Sequence, residues 1–285
     1  MRDGWKRVNR QNPCPVCGKS DWCLISEDGR AAICPRVESN KRAGEGGYLH
    51  RLTDTMNRPR RPYRVSIKSD KLQDLTKLAR QYQTEAEKTS KIEVLAKNLG
   101  LSSESLRRLG VGWYERESCW VWPLSNAQGR IVGLNRRFAN GQKQIIASHK
   151  TGLYLPNNLP VNMAGMTLLV TEGGSDTAAG LDLGFWSVGR FNCTHGAGLL
   201  RKLLRDRQPS TVVIIADQGG PGKRGAEGLA SALLPYTSIL KVIEPPKLYK
   251  DLRDWLRGGA NHREIAQLIE NTEPLKLKVN PGYGR

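Results

Sequence analysis

The chain contains no apolar run longer than five residues. A membrane-spanning helix needs about 20, so the sequence is not that of a helical membrane protein, and no membrane partner is expected. The opening stretch MRDGWKRVNRQNP has no apolar core of the kind a secretory signal carries, and the expected location is cytoplasmic. Acids are scarce: 27 Asp and Glu stand against 45 Lys and Arg, giving a net charge of +18. Such an excess attracts a polyanion, and nucleic acid is the default partner. No basic amphipathic helix with an aromatic face accompanies it, which argues against a membrane-surface role. Cysteine is sparse beyond residue 34, where only Cys119 and Cys193 occur. These two read as small buried hydrophobes rather than a disulfide framework.

The other cysteines form a tight group, Cys14, Cys17, Cys23 and Cys34. In a cytosolic chain that clustering reads as metal ligation. Pro13-Cys-Pro-Val-Cys-Gly18 is a knuckle whose turn lets two thiolates surround one Zn²⁺. Glu27-Asp-Gly29 is a hairpin signal. With Asp28-Gly29 as its loop, Cys23 opposes Cys34, and opposed residues share a face. Residues 1–50 are therefore expected to form a zinc ribbon held by Cys14, Cys17 and Cys34. The fourth ligand is Cys23 or, alternatively, His50.

Residues 51–68 hold six Lys or Arg and one acid, centred on Arg58, Arg60 and Arg61. They read as an extended basic tether, able to track phosphates or simply solvated. Residues 69–98 have helical periodicity, with Leu72, Leu75, Leu78, Ala79 and Tyr82 on one face. A second helix follows from Leu101 to near Gly110. Trp120–Leu124 and Ile131–Phe138 then read as a β-hairpin, followed by a strand over Gln142–Ile146 and a loop over Lys150–Pro156. Arg136 and Arg137 must point to opposite faces of their strand. With Lys143 and Lys150 they are candidates for phosphate contact.

Three short apolar runs in the second half each lead to an acid. Thr167–Val170 precedes Glu172, Val212–Ile215 precedes Asp217, and Ile239–Ile243 precedes Asp251. Helical stretches separate them, which predicts βαβ units and a parallel sheet. Ligands gather at the carboxyl ends of such strands. Acidic side chains converging there suit Mg²⁺ or Mn²⁺. Each acid also has a plainer reading. Ser175 and Asp176 fit a helix start, and Asp251 with Asp254 fits a helix cap and its partner.

The order of these features resembles a bacterial or phage DNA primase. The knuckle and hairpin resemble the primase zinc-binding domain. Residues 120–156 resemble the polymerase half before the catalytic core, and residues 167–259 resemble a Toprim domain. The resemblance implies an α/β fold arranged as zinc ribbon (1–50), linker (51–68), N-terminal polymerase half (69–165), Toprim sheet (166–260), and a short helix with a basic tail (261–285). It implies primer synthesis from rNTPs on single-stranded DNA by nucleotidyl transfer, in a bacterium or phage-infected cell, for a phage or other mobile element. A replicative helicase acting in trans is the implied partner.

By the same resemblance, Glu172, Asp217 and Asp251 are catalytic, with Asp176 and Asp254 as further metal ligands. Trp22 or Tyr48 is available to stack a template base. One departure is plain. Asp217-Gln-Gly-Gly-Pro-Gly222 has Gly219 where the family pattern has a second aspartate, so Gly219→Asp is expected to restore a ligand. Asp251 or Asp254 compensates for the loss, or catalysis is lost. Two alternatives therefore stand beside the primase: a non-catalytic DNA-binding module, and a Toprim nuclease or recombination protein.

Overall fold

The Asp28-Gly29 turn sets the architecture of the first of two units, residues 1–70; the second is 71–285. The computed structural model describes residues 4–43, 47–52, 74–146, 150–192 and 195–276, apart from the side chain of Pro221. Most of the basic tether, with Arg58, Arg60 and Arg61, lies outside these residues, as does Cys193.

The first unit is an antiparallel sheet of β1 (Trp5–Arg7), β2 (Leu24–Ser26), β3 (Ala31–Cys34) and β4 (Tyr48–Arg51), in that order. Leu24 pairs with Ile33 and Ile25 with Ala32, the register expected from a loop at 28–29. The buried centre of this sheet is Val8 with Cys14, Cys23 and Cys34. So small an apolar core cannot offset chain entropy by itself, which is the usual reason such units need a metal.

The second unit begins with α1 (Leu75–Lys88), α2 (Lys91–Leu99) and α3 (Ser103–Arg108). Asp74 caps α1 by accepting from the N–H groups of Thr76 and Lys77. The periodic stretch 69–98 is not one helix. The Thr89 hydroxyl bonds back to the Glu85 carbonyl, and Ser90 is left-handed at φ 52, so the chain restarts at Lys91.

Strands β5 (Gly112–Tyr114), β6 (Cys119–Ser125), β7 (Ile131–Phe138), β8 (Lys143–Ile145) and β9 (Leu153–Tyr154) follow. Cys119 is fully buried, as its isolation in the sequence implied. Next come β10 (Thr167–Glu172), α4 (Gly174–Asp182), β11 (Trp186–Arg190), α5 (Ala197–Arg207), β12 (Thr211–Ile215), α6 (Gly220–Leu233) and β13 (Ile239–Ile243). Two helices close the unit, α7 (Leu252–Arg257) and α8 (His262–Asn271).

Among the described residues of this unit, nine strands form one sheet, ordered β13-β12-β10-β11-β9-β6-β7-β8, with β5 added beside β6. Strands β10 to β13 run parallel, and β11 joins the antiparallel half through β9. The stretch Lys150–Pro156, expected to be a loop, therefore supplies the strand that joins the two halves. Strand β11 was not anticipated either, because Trp-Ser-Val-Gly-Arg lacks a β-branched run.

Parallel strands are buried on both faces, and the alternation shows it. Leu169, Val213, Ile215 and Ile243 pack with Ala178, Leu252 and Ile265 on one side. Leu168, Val170, Val212, Ile214 and Leu240 pack with Leu200, Leu203 and Leu229 on the other. No helix of the described residues is long and apolar enough to cross a membrane.

Candidate functional site

The thiols of Cys14, Cys17, Cys23 and Cys34 lie within 4.8 Å of one another. Cys23 Sγ is 3.6 Å from Cys17 Sγ and 3.8 Å from Cys34 Sγ. A tetrahedral zinc with Zn–S bonds of ~2.3 Å sets its sulfurs ~3.8 Å apart, so the four thiols fit one Zn²⁺. His50 does not join them; its Nε2 is 3.0 Å from the Val37 carbonyl oxygen. The fourth member of the set is thus Cys23. The hairpin decides this by carrying Cys23 across from Cys34. Arg36 donates to the Asp21 carbonyl and carboxylate, and its Nη1 is 3.8 Å from Cys23 Sγ. Burial, then the neighbouring thiols, push the Cys23 thiol well up, so a bound metal has to displace its proton.

In the second unit, Glu172 is the last residue of β10 and Asp217 lies two residues past β12. The chain turns into α4 at Gly173, which is the N-cap with φ 83; Ser175 does not cap this helix. Gly174 must lack a side chain, because a Cβ there would lie 2.5 Å from the Trp122 ring. The Glu-Gly-Gly sequence thus lets α4 start hard against the sheet and seats Asp176 in its first turn.

Asp176 is 6% exposed, and its Oδ1 accepts from the Arg253 backbone N–H at 3.0 Å. Asp251 caps α7 by accepting from the Asp254 N–H at 2.8 Å. Asp254 folds its own carboxylate back onto the Lys250 N–H at 3.1 Å. Asp251 and Asp254 each accept one backbone N–H through one carboxylate oxygen, so neither local role conflicts with the cluster reading.

The carboxylates sense one another. Burial pushes Asp176 up to about 7, with Asp251 and Asp217 adding repulsion. Burial, then Glu172 and Asp251, push Asp217 up to about 6. Like charges gathered among buried side chains have this effect, and a cation relieves it. Among the described residues, no set of three carboxylates closes to the 4.8 Å spacing of the thiols.

Strands β7 and β8 bring cations to the acids. Arg137 pairs with Lys143 across them. Arg137 lies over the Trp122 ring, 4.6 Å from its centroid, and 5.8 Å from that of Tyr154. Lys143 is pulled down by Arg137 and by burial, while Asp176 and Glu172 hold it up. Arg136 points to the opposite face, where it pairs with Glu117 and donates to Gln144. It does not face the acids. Lys150 is exposed, and its backbone N–H bonds the Val132 carbonyl.

The sequence reading passed over Arg190. It ends β11 directly opposite Glu172, with Nη2 3.6 Å from Glu172 Oε2. Its signal would have been a basic residue at a strand's carboxyl end, but that strand was not recognised. Gly219, at the expected second aspartate, caps α6 with φ 103 and ψ 162. Backbone of that kind is essentially confined to glycine, which explains the residue without reference to metal.

No family model matches the sequence, and no curated protein does. Solved structures do match. The Aquifex aeolicus primase, zinc-binding and RNA polymerase domains, superposes with TM-score 0.57 at 12% identity, over 96% of this chain and 80% of that one. A DnaG primase catalytic domain bound to ssDNA gives 0.55 at 18% identity, over 71% of this chain and 81% of that one. The E. coli primase catalytic core gives 0.54 at 18% identity, over 70% and 79%. With its four-cysteine ribbon and its mixed sheet, this chain has the fold of the DnaG-type primases.

Proposed function

We propose that the protein is a DNA primase that makes short RNA primers on single-stranded DNA. The observation that carries this reading is the gathering of four acids opposite two cations. Glu172, Asp176, Asp217 and Asp251 meet at the carboxyl end of a parallel sheet. Arg137 and Lys143 face them from the antiparallel half. The likeness to a primase domain solved with ssDNA supports the template class.

In this reading Glu172, Asp217 and Asp251 hold Mg²⁺ or Mn²⁺, which when bound neutralises the phosphates and lowers the barrier to attack by a 3′-hydroxyl. Asp176 braces α4 against α7 through the Arg253 N–H. Arg137, fixed by Trp122 and Tyr154, and Lys143 bind the triphosphate or template phosphate. Buried Trp122 and Tyr154 restrict water on that side. The ribbon holds single-stranded template, with exposed Trp22 free to stack a base. Tyr48 is less suited, since its hydroxyl is engaged with Glu38. A helicase acting in trans, and service to a phage or mobile element, belong to this reading as well.

The test is primer synthesis by the purified protein from rNTPs on single-stranded DNA with Mg²⁺ or Mn²⁺. Radiolabelled products a few nucleotides long are expected. Their absence with both metals would leave the non-catalytic DNA-binding module, a reading that Gly219 favours by removing one carboxylate of the family pattern.

A further inference from the structure

We propose that Trp22 is a pre-set platform for stacking one unpaired nucleobase, held out from the ribbon by a strained turn that Arg36 clamps. The inference rests on the reading of the ribbon as the holder of single-stranded template. The Cys23 N–H donates to the Asp21 carbonyl at 2.8 Å, closing a three-residue turn with Trp22 at its centre. Trp22 is left-handed at φ 62, so this is the rare and strained form of the γ-turn. The other non-glycine residues of that hand among those described are Ser90, Ser118 and Gln208, all polar. For a bulky side chain such backbone is an outlier. Burial does not offset it, because Trp22 is 68% exposed.

The turn is fixed from outside. Arg36 donates through Nη1 to the Asp21 carbonyl at 3.0 Å and through Nη2 to its carboxylate at 2.8 Å. The same Nη1 lies 3.8 Å from Cys23 Sγ. One guanidinium thus grips both residues that flank Trp22, and Cys23 is anchored a second time by the thiol cluster. Strain that its surroundings over-determine in this way gathers at binding sites. A ring on so fixed a backbone loses little further freedom when a ligand meets it. The ligand class follows from the neighbourhood. Lys19, Ser20 and Asp21 lead into Trp22 and are exposed and polar, so the ring does not belong to an apolar patch of the kind that docks a protein. Arg7 lies opposite Leu24, two residues beyond Trp22, and with Lys19 supplies exposed positive charge. A bare aromatic face beside cations that follow the phosphates is how single strands are held whatever their sequence. A duplex offers no free base face to such a ring. Arg36 is on this account a positioning residue, acting through Trp22.

The experiment measures binding of the full-length, zinc-loaded protein to labelled oligo-dT by fluorescence anisotropy. An abasic oligonucleotide of equal length is the control, and zinc content is measured for each variant. Trp22→Asn should weaken oligo-dT binding about five- to a hundredfold, the worth of one stacked base. Trp22→Phe should restore most of that loss, and binding to the abasic strand should not change. Because Asn tolerates left-handed backbone, Trp22→Asn should release zinc to a chelator no faster than the wild type. Arg36→Gln should weaken oligo-dT binding on its own and add nothing in the Trp22→Asn background. An undiminished effect there would make Arg36 a phosphate contact and overturn the clamp. Unchanged oligo-dT binding by Trp22→Asn, or an equal loss on the abasic strand, would overturn the inference while leaving template binding intact. Faster zinc loss from Trp22→Asn would make Trp22 a structural residue of the turn and overturn it too. No oligo-dT binding by the wild type would remove both the inference and the template reading beneath it. Should Arg36→Gln lose its zinc, the Trp22 variants still decide.

Discussion

Cys23 and Cys34 face each other across the β2–β3 hairpin with their sulfurs 3.8 Å apart, whereas His50 bonds a backbone carbonyl instead. Substituting Cys23→Ser should therefore release zinc, and His50→Ala should retain it, with metal content measured by atomic absorption. Because the cysteines form most of the buried centre of this unit, loss of Cys14 should leave residues 1–50 open to limited proteolysis. Zinc retained by Cys23→Ser would show that the thiol geometry does not reflect ligation.

Glu172→Gln keeps the size of the side chain and removes its charge. Primer synthesis should fall by at least a hundredfold while single-stranded DNA binding is kept, as read by fluorescence anisotropy. Arg137→Ala should instead raise the KM for rNTPs or weaken template binding, because this side chain faces the acids as a phosphate-binding cation. Arg136→Ala should have little effect on either quantity, since Arg136 pairs with Glu117 on the other face. Equal losses from Arg136→Ala and Arg137→Ala would contradict that assignment of faces.

At Gly219 the two lines of reasoning diverge. The family pattern leads one to expect a gain from Gly219→Asp. The backbone at φ 103 and ψ 162 opposes any side chain, although nothing lies within 4 Å of where a Cβ would sit. Strain of this kind costs about 1–3 kcal/mol. Gly219→Ala and Gly219→Asp should therefore both lower the thermal midpoint, by roughly 2–10 °C in a unit of this size. Gly219→Asp should not lower the Mg²⁺ concentration needed for half-maximal synthesis. An unchanged midpoint together with improved Mg²⁺ use would restore the family-pattern expectation.

Asp176 and Asp217 are raised to about 7 and about 6 in the folded chain. Below the unfolded carboxylate range, near 4, both states are protonated and the neutral cluster costs nothing. From about pH 4 the unfolded chain loses these protons while the folded chain keeps them until its own values of about 6 and 7 are passed. Stability therefore falls with rising pH across that window. In magnesium-free buffer the urea midpoint should decline between about pH 4.5 and 7 and level off above. Asp176→Asn, which can still accept the Arg253 N–H, should flatten the decline and be the more stable protein at pH 8. Added Mg²⁺ should stabilise the wild type at pH 8 more than it does Asp176→Asn. A wild-type midpoint that rises over the same window would refute the account.

Local chemistry made much of this protein legible. The knuckle, the Asp-Gly turn and the period-two register placed Cys23 opposite Cys34 without reference to any distant residue. Apolar runs each followed by an acid located β10, β12, β13 and the strand ends where the acids gather. Nonlocal pairing decided the rest. Strand β9 is two residues long, and β11 has no β-branched run, so neither has a local signal; each exists because its neighbours in the sheet leave backbone groups to be paired. Arg190 met Glu172 only when β11 docked beside β10. The choice between Arg136 and Arg137 depended on which face of β7 meets the acids. Whether Asp251 was a cap or a cluster member was settled by the packing of α7 on α4, which made it both. Sequence thus specified the chemical groups and their strand ends, because those depend on neighbours in the chain. Tertiary structure chose which of them face one another, because charge interactions fall off over a few ångströms that only the folded sheet can set.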